Sequence, residues 1–530
     1  MMLRRACRPP AGVGVGVGVG AGAGAGAGIA LRASAPLRWS RSRPYTTTRG
    51  SSSPFRPPQL IAVFLISGIG GWGLSALLRD GKRSKTGGVG GAIPSLRPGP
   101  VDLESLAKTP VEEGSFEKAD AKLREDVFVG SFSAEGKETH VHAARVASNH
   151  PVEDHMAYSL APGVGGSKTL FNGVYDGHAG WATSLLLQSA LIPAVSSSIA
   201  RLGRDADDAA VDAAIVDAFT DLDDRIMSNA VKAVESLKAG AVEPADSGVM
   251  AAIAPAIAGS CALLSVFDPA TSTLRVACTG DSRAVLGRWS SRSLAPGDAA
   301  AAAAAAAPYY SALELSKDQT GRNEDEFRRV SGEHPGEDGI LDKKSGRLLG
   351  IAVTRAFGDH RWKWTGHLIK HVHQNFFGTS PRPKYATPPY MTAAPVVTTT
   401  TEIHGPDFAI LASDGLWDHM SSENAVECVS RWIAAKKAGE KTPGDKLARA
   451  PRAPSQFDMS GGWPSWSATP EHFVVEDLDN AAVHLIKNAL GGNRRTLFTG
   501  AALAYPPLAR SVRDDITVQV IFFQDPAKAD

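Results

Sequence analysis

Short apolar runs that are bounded by turn-forming residues predict β-strands along much of this chain. Residues 260–268 form such a run, 269–273 supply a turn, and 274–279 resume the strand pattern. This arrangement predicts a β-hairpin. A third strand is expected at 284–288, after a turn at 281–282.

Apolar residues that recur every three to four positions predict amphipathic helices between the strands. The clearest helical segments are 182–200, 205–227 and 422–437. In the second segment, Val211, Ile215 and Phe219 fall on one face. The third begins after Ser421, a residue type that caps helix N-termini, and it directly follows a loop that contains Asp414. The chain therefore mixes helices and strands.

Several stretches have the composition of surface insertions, and no chemistry is assigned to them. They are 239–258, 296–308, 379–390 and 439–469. The second of them contains nine consecutive alanines, at 299–307.

The amino-terminal segment differs from the rest in charge. No Asp or Glu precedes Asp80, whereas ten arginines do. A segment that is rich in Arg, Ser and Thr and free of acids is typical of a mitochondrial transit peptide. A secretory signal fits less well, because residues 12–30 are a Gly/Val/Ala run that is too flexible for an ordinary apolar helix.

An uncharged apolar stretch follows at 60–78 and ends at Arg79. A membrane-spanning helix needs roughly 20 such residues. A buried core helix is the alternative, but the prolines at 57–58 and the Gly/Ser/Pro-rich stretch 81–100 separate this segment from any core. We therefore predict that the protein contacts a membrane through 60–78.

The resulting domain organisation has four parts. They are a mitochondrial presequence at 1–58, a transmembrane helix at 59–79, a linker at 80–125 and a catalytic domain at 126–526. This organisation predicts a mitochondrial protein anchored in the inner membrane.

The balance of charge argues against a nucleic-acid partner. The formal net charge is +1, but nine arginines lie at or before Arg56. Without them, 47 basic residues face 55 acidic ones and the net charge is −8, so the body is acidic. The four cysteines are widely spaced and suggest neither a disulfide framework nor a zinc site.

Acidic residues stand beside apolar, strand-like runs in five separate segments. Asp176-Gly177-His178 is the sharpest, and the others contain Glu153 and Asp154, Asp281, Asp414 and Asp418, and Asp514 and Asp515. Carboxylates and carbonyls suit hard ions such as Mg²⁺ or Mn²⁺. Two such ions can activate a water for attack on a phosphoryl group, and an imidazole can protonate the leaving oxygen. The pattern favours a hydrolase.

The order and spacing of five segments resemble the motif series of the metal-dependent serine/threonine protein phosphatases of type 2C. The segments are 171–180, 280–283, 349–359, 412–418 and 513–515. The resemblance covers about 127–523. It implies an α+β fold, in which two facing antiparallel sheets are flanked by helices in an α-β-β-α sandwich with loop insertions.

The resemblance also implies a centre of two Mg²⁺ or Mn²⁺ ions. Asp176 would bridge both ions, and Gly177 would offer its carbonyl. Asp414 and Asp514 would ligate one of them. Hydrolysis by a metal-activated water needs no phosphoenzyme.

Further roles follow from the same resemblance. Glu153 and Asp154 would serve the other side of the centre through water, and His178 would be the general acid. Asp281 and Asp418, with Asp414, would match acids that hold a weaker third ion in some members. Arg355 and Asp359 lie in a family-like segment and are interpreted as support for the fold.

One departure concerns phosphate binding. The family's usual arginine, a few residues before the Glu-Asp pair, is replaced by Asn149, which becomes the candidate substrate-binding residue. The Asn-x-Pro-x-Glu-Asp pattern of 149–154, together with 333–335, 361–364 and 480–492, resembles the branch of mitochondrial pyruvate dehydrogenase phosphatase.

The leading hypothesis is a Mg²⁺- or Mn²⁺-dependent phosphoserine/phosphothreonine phosphatase of mitochondria. Its substrate would be the pyruvate dehydrogenase complex or another phosphoprotein. Two alternatives stay open at this point: a catalytically inactive phosphatase-like scaffold, and a phosphatase of small metabolites.

Overall fold

Two antiparallel β-sheets lie at the centre of the computed structural model, which describes residues 114–290, 309–376, 380–443 and 466–528. The strands are β1 (Val127–Ala134), β2 (Lys137–Val146), β3 (His155–Pro162), β4 (Lys168–Tyr175), β5 (Gly177–His178), β6 (Gly259–Ser260), β7 (Ala262–Asp268), β8 (Thr273–Thr279), β9 (Arg283–Ser290), β10 (Tyr309–Glu314), β11 (Leu341–Asp342), β12 (Arg347–Leu348), β13 (Phe357–Gly358), β14 (Val396–Thr400), β15 (Phe408–Ala412) and β16 (Ile516–Phe522). The six-stranded sheet has the order β1-β2-β16-β15-β9-β10, and the five-stranded sheet has the order β14-β8-β7-β4-β3.

Helices flank the two sheets. They are α1 (Phe116–Leu123), α2 (Ala182–Ile199), α3 (Asp208–Lys238), α4 (Ser247–Ile257), α5 (Glu324–Glu333), α6 (His360–Lys363), α7 (Gly366–Phe376), α8 (Asp414–Trp417), α9 (Ser422–Ala438), α10 (Ala481–Ala489), α11 (Arg495–Leu503) and α12 (Ala509–Val512). A short sheet, β13-β6-β5, and the β11-β12 hairpin complete the elements.

The apolar runs of the sequence are buried on both faces because each sheet packs against the other sheet on one face and against helices on the other. Successive side chains of a strand point to opposite faces. In β4, Val174 therefore packs between the two sheets with Leu263 and Leu411. Phe171 of the same strand packs against the helices on the outer face.

The outer layers complete an α-β-β-α sandwich, so the predicted fold class is confirmed. Leu187 of α2 and Phe219 of α3 join the core on the five-stranded sheet. On the other side, Trp432 of α9 stacks on Phe522 of β16 with 5.6 Å between ring centroids. Each buried apolar side chain of this kind stabilises the fold by about 1.5–3 kcal/mol.

The first described helix corrects one predicted boundary. Residues 80–125 were expected to be a linker, but α1 lies within this range and buries Ala119 and Leu123 completely. Phe116 contacts Phe498 of α11, with 5.4 Å between ring centroids. The packed fold therefore begins before residue 126.

The predicted hairpin is present as β7 and β8, but the third strand belongs to the other sheet. β8 pairs with β7 and β14, whereas β9 pairs with β15 and β10. The turn at 281–282 thus carries the chain from one sheet to the other. Gly280 makes this possible, because its φ is +107° and a Cβ there would lie 2.3 Å from the Cys261 Sγ.

The predicted helices at 182–200 and 422–437 agree with α2 and α9, and the Ser421 hydroxyl accepts a hydrogen bond from the Asn424 N–H at 3.2 Å. The helix predicted at 205–227 extends to Lys238.

Two predicted insertions contribute to the core. The stretch 239–258 contains α4, whose Ile253 is buried. The stretch 379–390 ends at the fully buried Tyr390.

One helix in the described part of the chain, α2, is long and apolar enough to cross a membrane. Its Leu187 and Leu191 are packed against the five-stranded sheet. The segment 60–78, which was predicted to span a membrane, and the presequence 1–58 lie outside the described residues.

Candidate active site

Loops at one end of the sandwich bring together acids that are far apart in sequence. Asp176 follows β4, Asp281 lies between β8 and β9, and Asp414 begins α8 after β15. Asp154 and Asp514 lie just before β3 and β16. Since neighbouring strands are antiparallel, these strand starts and strand ends meet at the same edge.

A cavity of about 600 Å³ opens at this end. Its acidic lining is Asp176, Asp281, Asp359, Asp414 and Asp514, and its basic lining is His178, His360, Arg347, Arg361, Arg382 and Arg510. A larger cavity, of about 750 Å³, lies at the opposite end of the strands and contains none of these acids. The candidate chemistry is therefore confined to the first cavity.

Asp176 and Asp414 are direct neighbours in the cluster, and their carboxyl groups interact with each other. Withdrawal from water raises the pKa of Asp176 well above its usual range, and the neighbouring Asp414 and Asp154 raise it further. The pKa of Asp414 is raised for the same reasons, with Asp281 as its strongest acidic neighbour. Such a pair needs either a proton or a cation between its oxygens.

Asp154 lies behind this pair and is only 1% exposed. Its Oδ2 accepts a hydrogen bond from the Thr517 hydroxyl at 2.7 Å. Burial, and then repulsion by Asp515, raise the pKa of Asp154 to about 7. The residue does not line the cavity, so it acts on the site through its charge.

The raised pKa of Asp154 predicts a pH-dependent effect of Asp154→Asn in metal-free protein. A carboxyl whose folded pKa exceeds its unfolded value contributes stability below the unfolded pKa, near 3.8, and loses it as pH rises through about 7. We expect the variant to gain stability relative to the wild type between pH 4 and pH 8, on the order of 3 kcal/mol. Urea unfolding of both proteins in a chelator measures this difference, and a constant difference across this range would contradict the assignment.

Asp281 lies beside a thiol. The Cys261 Sγ donates to Asp281 Oδ1 at 3.3 Å, and ligand atoms of Asp176, Cys261 and Asp281 all lie within 4.8 Å of one another. The sequence analysis assigned no site to any of the four cysteines, so the position of Cys261 beside Asp281 was not predicted. Asp418, the other acid predicted for a third ion, is exposed and does not line the cavity.

Glu153 and Asn149 bind each other. The Asn149 Nδ2 donates to Glu153 Oε2 at 2.9 Å, and the Gly180 N–H donates to Glu153 Oε1 at 2.7 Å. Neither side chain lines the cavity. Asn149 therefore positions Glu153 in this structure, and its predicted contact with substrate stays a prediction.

His178 forms an ion pair with Asp359, with 2.6 Å between Nε2 and Oδ2. Burial disfavours the imidazolium, but Asp359 outweighs this and raises the pKa of His178. Gly259 lies against both groups, since a Cβ there would be 2.1 Å from the His178 Nε2. Asp359, which was interpreted as support for the fold, thus contacts the candidate general acid directly.

Arg355 does support the fold, because it donates to Glu326 Oε1 at 2.6 Å.

Asp515 is a site residue whose role sequence reasoning missed. It is 2% exposed. Its carboxylate accepts hydrogen bonds from the N–H groups of Ser148, Glu153 and Asp154 at 2.5, 2.8 and 3.2 Å. These bonds fix the loop that carries the Glu-Asp pair. A second acid directly after Asp514 was the only signal in the sequence.

The donor set fits a hard divalent cation. The converging groups are carboxylates, and burial together with mutual repulsion raises their pKa values, so a proton or a cation would stabilise the cluster. Position 177 must be glycine for this close packing, because a Cβ there would lie 2.2 Å from the Glu153 carbonyl oxygen. The roles predicted for Asp176, Gly177, Asp414 and Asp514 are compatible with this arrangement.

Comparison with known proteins gives consistent matches. A family model described as Protein phosphatase 2C matches residues 143–452. A Schizosaccharomyces pombe protein described as a protein phosphatase 2C homolog is 38% identical over 397 residues, which cover 72% of this chain and 79% of that protein. The Saccharomyces cerevisiae mitochondrial [pyruvate dehydrogenase [acetyl-transferring]]-phosphatase 1 is 33% identical over 424 residues, covering 72% of this chain and 68% of that protein.

Other matches are partial or more distant. The Homo sapiens mitochondrial [pyruvate dehydrogenase [acetyl-transferring]]-phosphatase 1 is 33% identical over 266 residues, or 47% of this chain and 45% of the human protein. A solved structure of serine-threonine phosphatase 2C from Toxoplasma gondii has a TM-score of 0.40 and 17% identity, covering 75% of this chain and 99% of that chain.

Proposed function

The chain belongs to the protein phosphatase 2C family and is a serine/threonine protein phosphatase, and from this premise we propose that it is a Mg²⁺- or Mn²⁺-dependent enzyme of mitochondria. The observation that carries the metal dependence is the contact between Asp176 and Asp414, two acids of one cavity whose pKa values are both raised. Buried carboxylates of this kind are stabilised by a bound cation.

Asp176, Gly177, Asp414 and Asp514 are the residues that would hold two ions. Glu153 and Asp154 would act on the other side of the centre through water. Asp281 is the better candidate of the two acids predicted for a weaker third ion, because it lines the cavity. When bound, Mg²⁺ or Mn²⁺ supplies an activated water and neutralises charge on the phosphoryl group.

His178 is the group that would hold the proton for the leaving oxygen. Asp359 raises its pKa, so the imidazole carries this proton at higher pH than a free histidine does. The Asp359 carboxylate also orients the ring through the bond to Nε2. A protonated imidazole at the cavity wall can donate to a departing serine or threonine oxygen.

The proposed substrate is a mitochondrial phosphoprotein, with the pyruvate dehydrogenase complex as the first candidate. The names of the yeast and human relatives support this, as does the acid-free composition of residues 1–58. We further propose anchoring in the inner membrane through 60–78, which rests on the sequence alone.

The activity is tested with purified full-length protein on phosphoserine and phosphothreonine peptides, with Mg²⁺, with Mn²⁺ and with a chelator. We expect phosphate release with either ion and none with the chelator. Release that is indifferent to metal would overturn the proposed mechanism. Hydrolysis of small phosphometabolites but of no phosphopeptide would contradict protein-phosphatase activity.

The compartment is tested separately. Protease treatment of intact and swollen mitochondria, read with an antibody against the catalytic region, reports which side of the inner membrane carries that region. Protection in both preparations places it in the matrix. Extraction by carbonate at high pH would argue against the anchor.

A further inference from the structure

We propose that three arginines of the cavity, Arg347, Arg361 and Arg382, bind a second anionic group of the phosphoprotein substrate, next to the phosphate that is hydrolysed. The inference rests on the proposed function and narrows its substrates to phosphoserine or phosphothreonine segments with a nearby carboxylate or second phosphate.

The three arginines come from separate parts of the chain but line the same cavity as Asp176 and Asp414. Arg347 lies in β12 and Arg361 in α6. Arg382 lies in the stretch 379–390, to which the sequence assigned no chemistry. A substrate whose phosphate reaches the acids therefore enters a cavity whose wall also carries these guanidinium groups.

Trp362 holds two of them in place. The Cζ of Arg382 lies 5.1 Å from the centroid of its ring, and the Cζ of Arg361 lies 5.8 Å from it. The ring itself is fixed, since it is 6% exposed and its Nε1 donates to the Leu348 carbonyl at 3.0 Å. Stacking on an indole restrains a guanidinium without neutralising its charge.

None of the three arginines forms an ion pair with a carboxylate of the described residues. Arg361 donates to the Ser380 carbonyl at 2.6 Å, and Arg347 donates to the Gly350 carbonyl at 3.0 Å. Arg382 has no hydrogen bond or ion pair with a described residue, and its Nε is buried without a partner. By contrast Arg510, the fourth arginine of the cavity, is paired with Asp514.

The unpaired charges lie close to one another. Burial, and then the neighbouring Arg382, lower the pKa of Arg361, and the attraction of Asp359 only partly offsets them. Arg382 also approaches Gly350, where a Cβ would lie 3.1 Å from its Nη1. Adjacent guanidiniums that repel each other bind an anion well, because their planar forks fit carboxylate and phosphate oxygens.

The experiment compares full-length wild type with Arg382→Gln and Arg347→Gln in Mn²⁺. Three phosphoserine peptides differ only in the flank: neutral residues, glutamates or a second phosphoserine. We expect the wild type to prefer the anionic flanks about tenfold in kcat/KM, the size of one charge-assisted hydrogen bond. Each variant should reduce this preference, mainly through a higher KM. The anionic peptide whose kcat/KM falls more in the variants shows whether the arginines bind a carboxylate or a phosphate.

Arg328→Gln is the matched control, because Arg328 is 74% exposed, is paired with Asp325 and does not line the cavity. It should keep the wild-type preference. A melting curve shows whether Arg382→Gln folds. If it does not, Arg347→Gln still tests the proposal, because the side chain of Arg347 is exposed and its replacement should not disturb the fold.

The two levels of the proposal fail in different ways. Activity on all three peptides with the same preference in wild type and variants overturns the role of the arginines alone. If no peptide is hydrolysed, the proposed function fails, and anisotropy of fluorescent peptides then tests the arginines. Tighter binding of the anionic flanks that Arg382→Gln weakens supports the inference, and equal binding overturns it.

Discussion

Asp176→Asn should reduce Mn²⁺-dependent phosphatase activity by at least about 10³-fold, because it removes the acid proposed to bridge both ions. The loss should appear in kcat on every phosphopeptide. In wild type, Mn²⁺ should raise the melting temperature, since an ion that binds only the folded protein stabilises it. The variant should lose most of this increase.

The same substitution should not destabilise the metal-free protein. Burial and the neighbouring acids raise the pKa of Asp176, so the metal-free fold favours an uncharged group at this position, and the amide is uncharged and can still donate to Asp414. Asp325→Asn is the matched control, because Asp325 is 66% exposed and lies outside the cavity. Normal activity of Asp176→Asn, or loss of activity in Asp325→Asn, would contradict the assignment of the centre.

His178→Gln should separate substrates by their leaving group. A serine alkoxide needs a proton as it departs, and a general acid contributes about 10²- to 10⁴-fold. Nitrophenolate departs without one. We therefore expect a loss of about 100-fold on phosphoserine peptides and a much smaller loss on p-nitrophenyl phosphate.

Asp359→Asn should show the same division between substrates with a smaller effect, because it leaves the imidazole in place but removes its partner at 2.6 Å. His367→Gln serves as the control, since His367 is exposed on α7. An equal loss of both activities in His178→Gln would mean that the imidazole organises the cavity and does not protonate the leaving group.

The fold could be predicted from the sequence where apolar residues recur at the spacing of a helix or form short runs bounded by turn residues. The hairpin of β7 and β8 and the helices α2 and α9 follow from spacing and from turn or cap residues. The strand β9 was also recognised, but its sheet was not. A turn reverses direction, whereas the choice between two sheets depends on pairing with β15, which lies more than a hundred residues later.

The site shows the same limit. The acids of the Asp176 and Asp414 motifs could be read directly, and the structure brings them into contact. The role of Asp359 could not, because its partner His178 is 181 residues away in sequence. Arg382 was hidden for another reason: it lies in a stretch with the composition of an ordinary loop, and only its position near Trp362 gives it a function to test.

The place of β16 in the six-stranded sheet determines when, during synthesis of the chain, this sheet can be completed. This strand, Ile516–Phe522, lies between β2 and β15, and the loop before it carries Asp514 and Asp515. While the chain emerges from the ribosome, β2 and β15 are both made before the strand that joins them. The six-stranded sheet and the proposed site therefore cannot be completed until residues 514–522 have been synthesised, and we expect a fragment that stops short of residue 516 to be inactive and to expose an unpaired sheet edge.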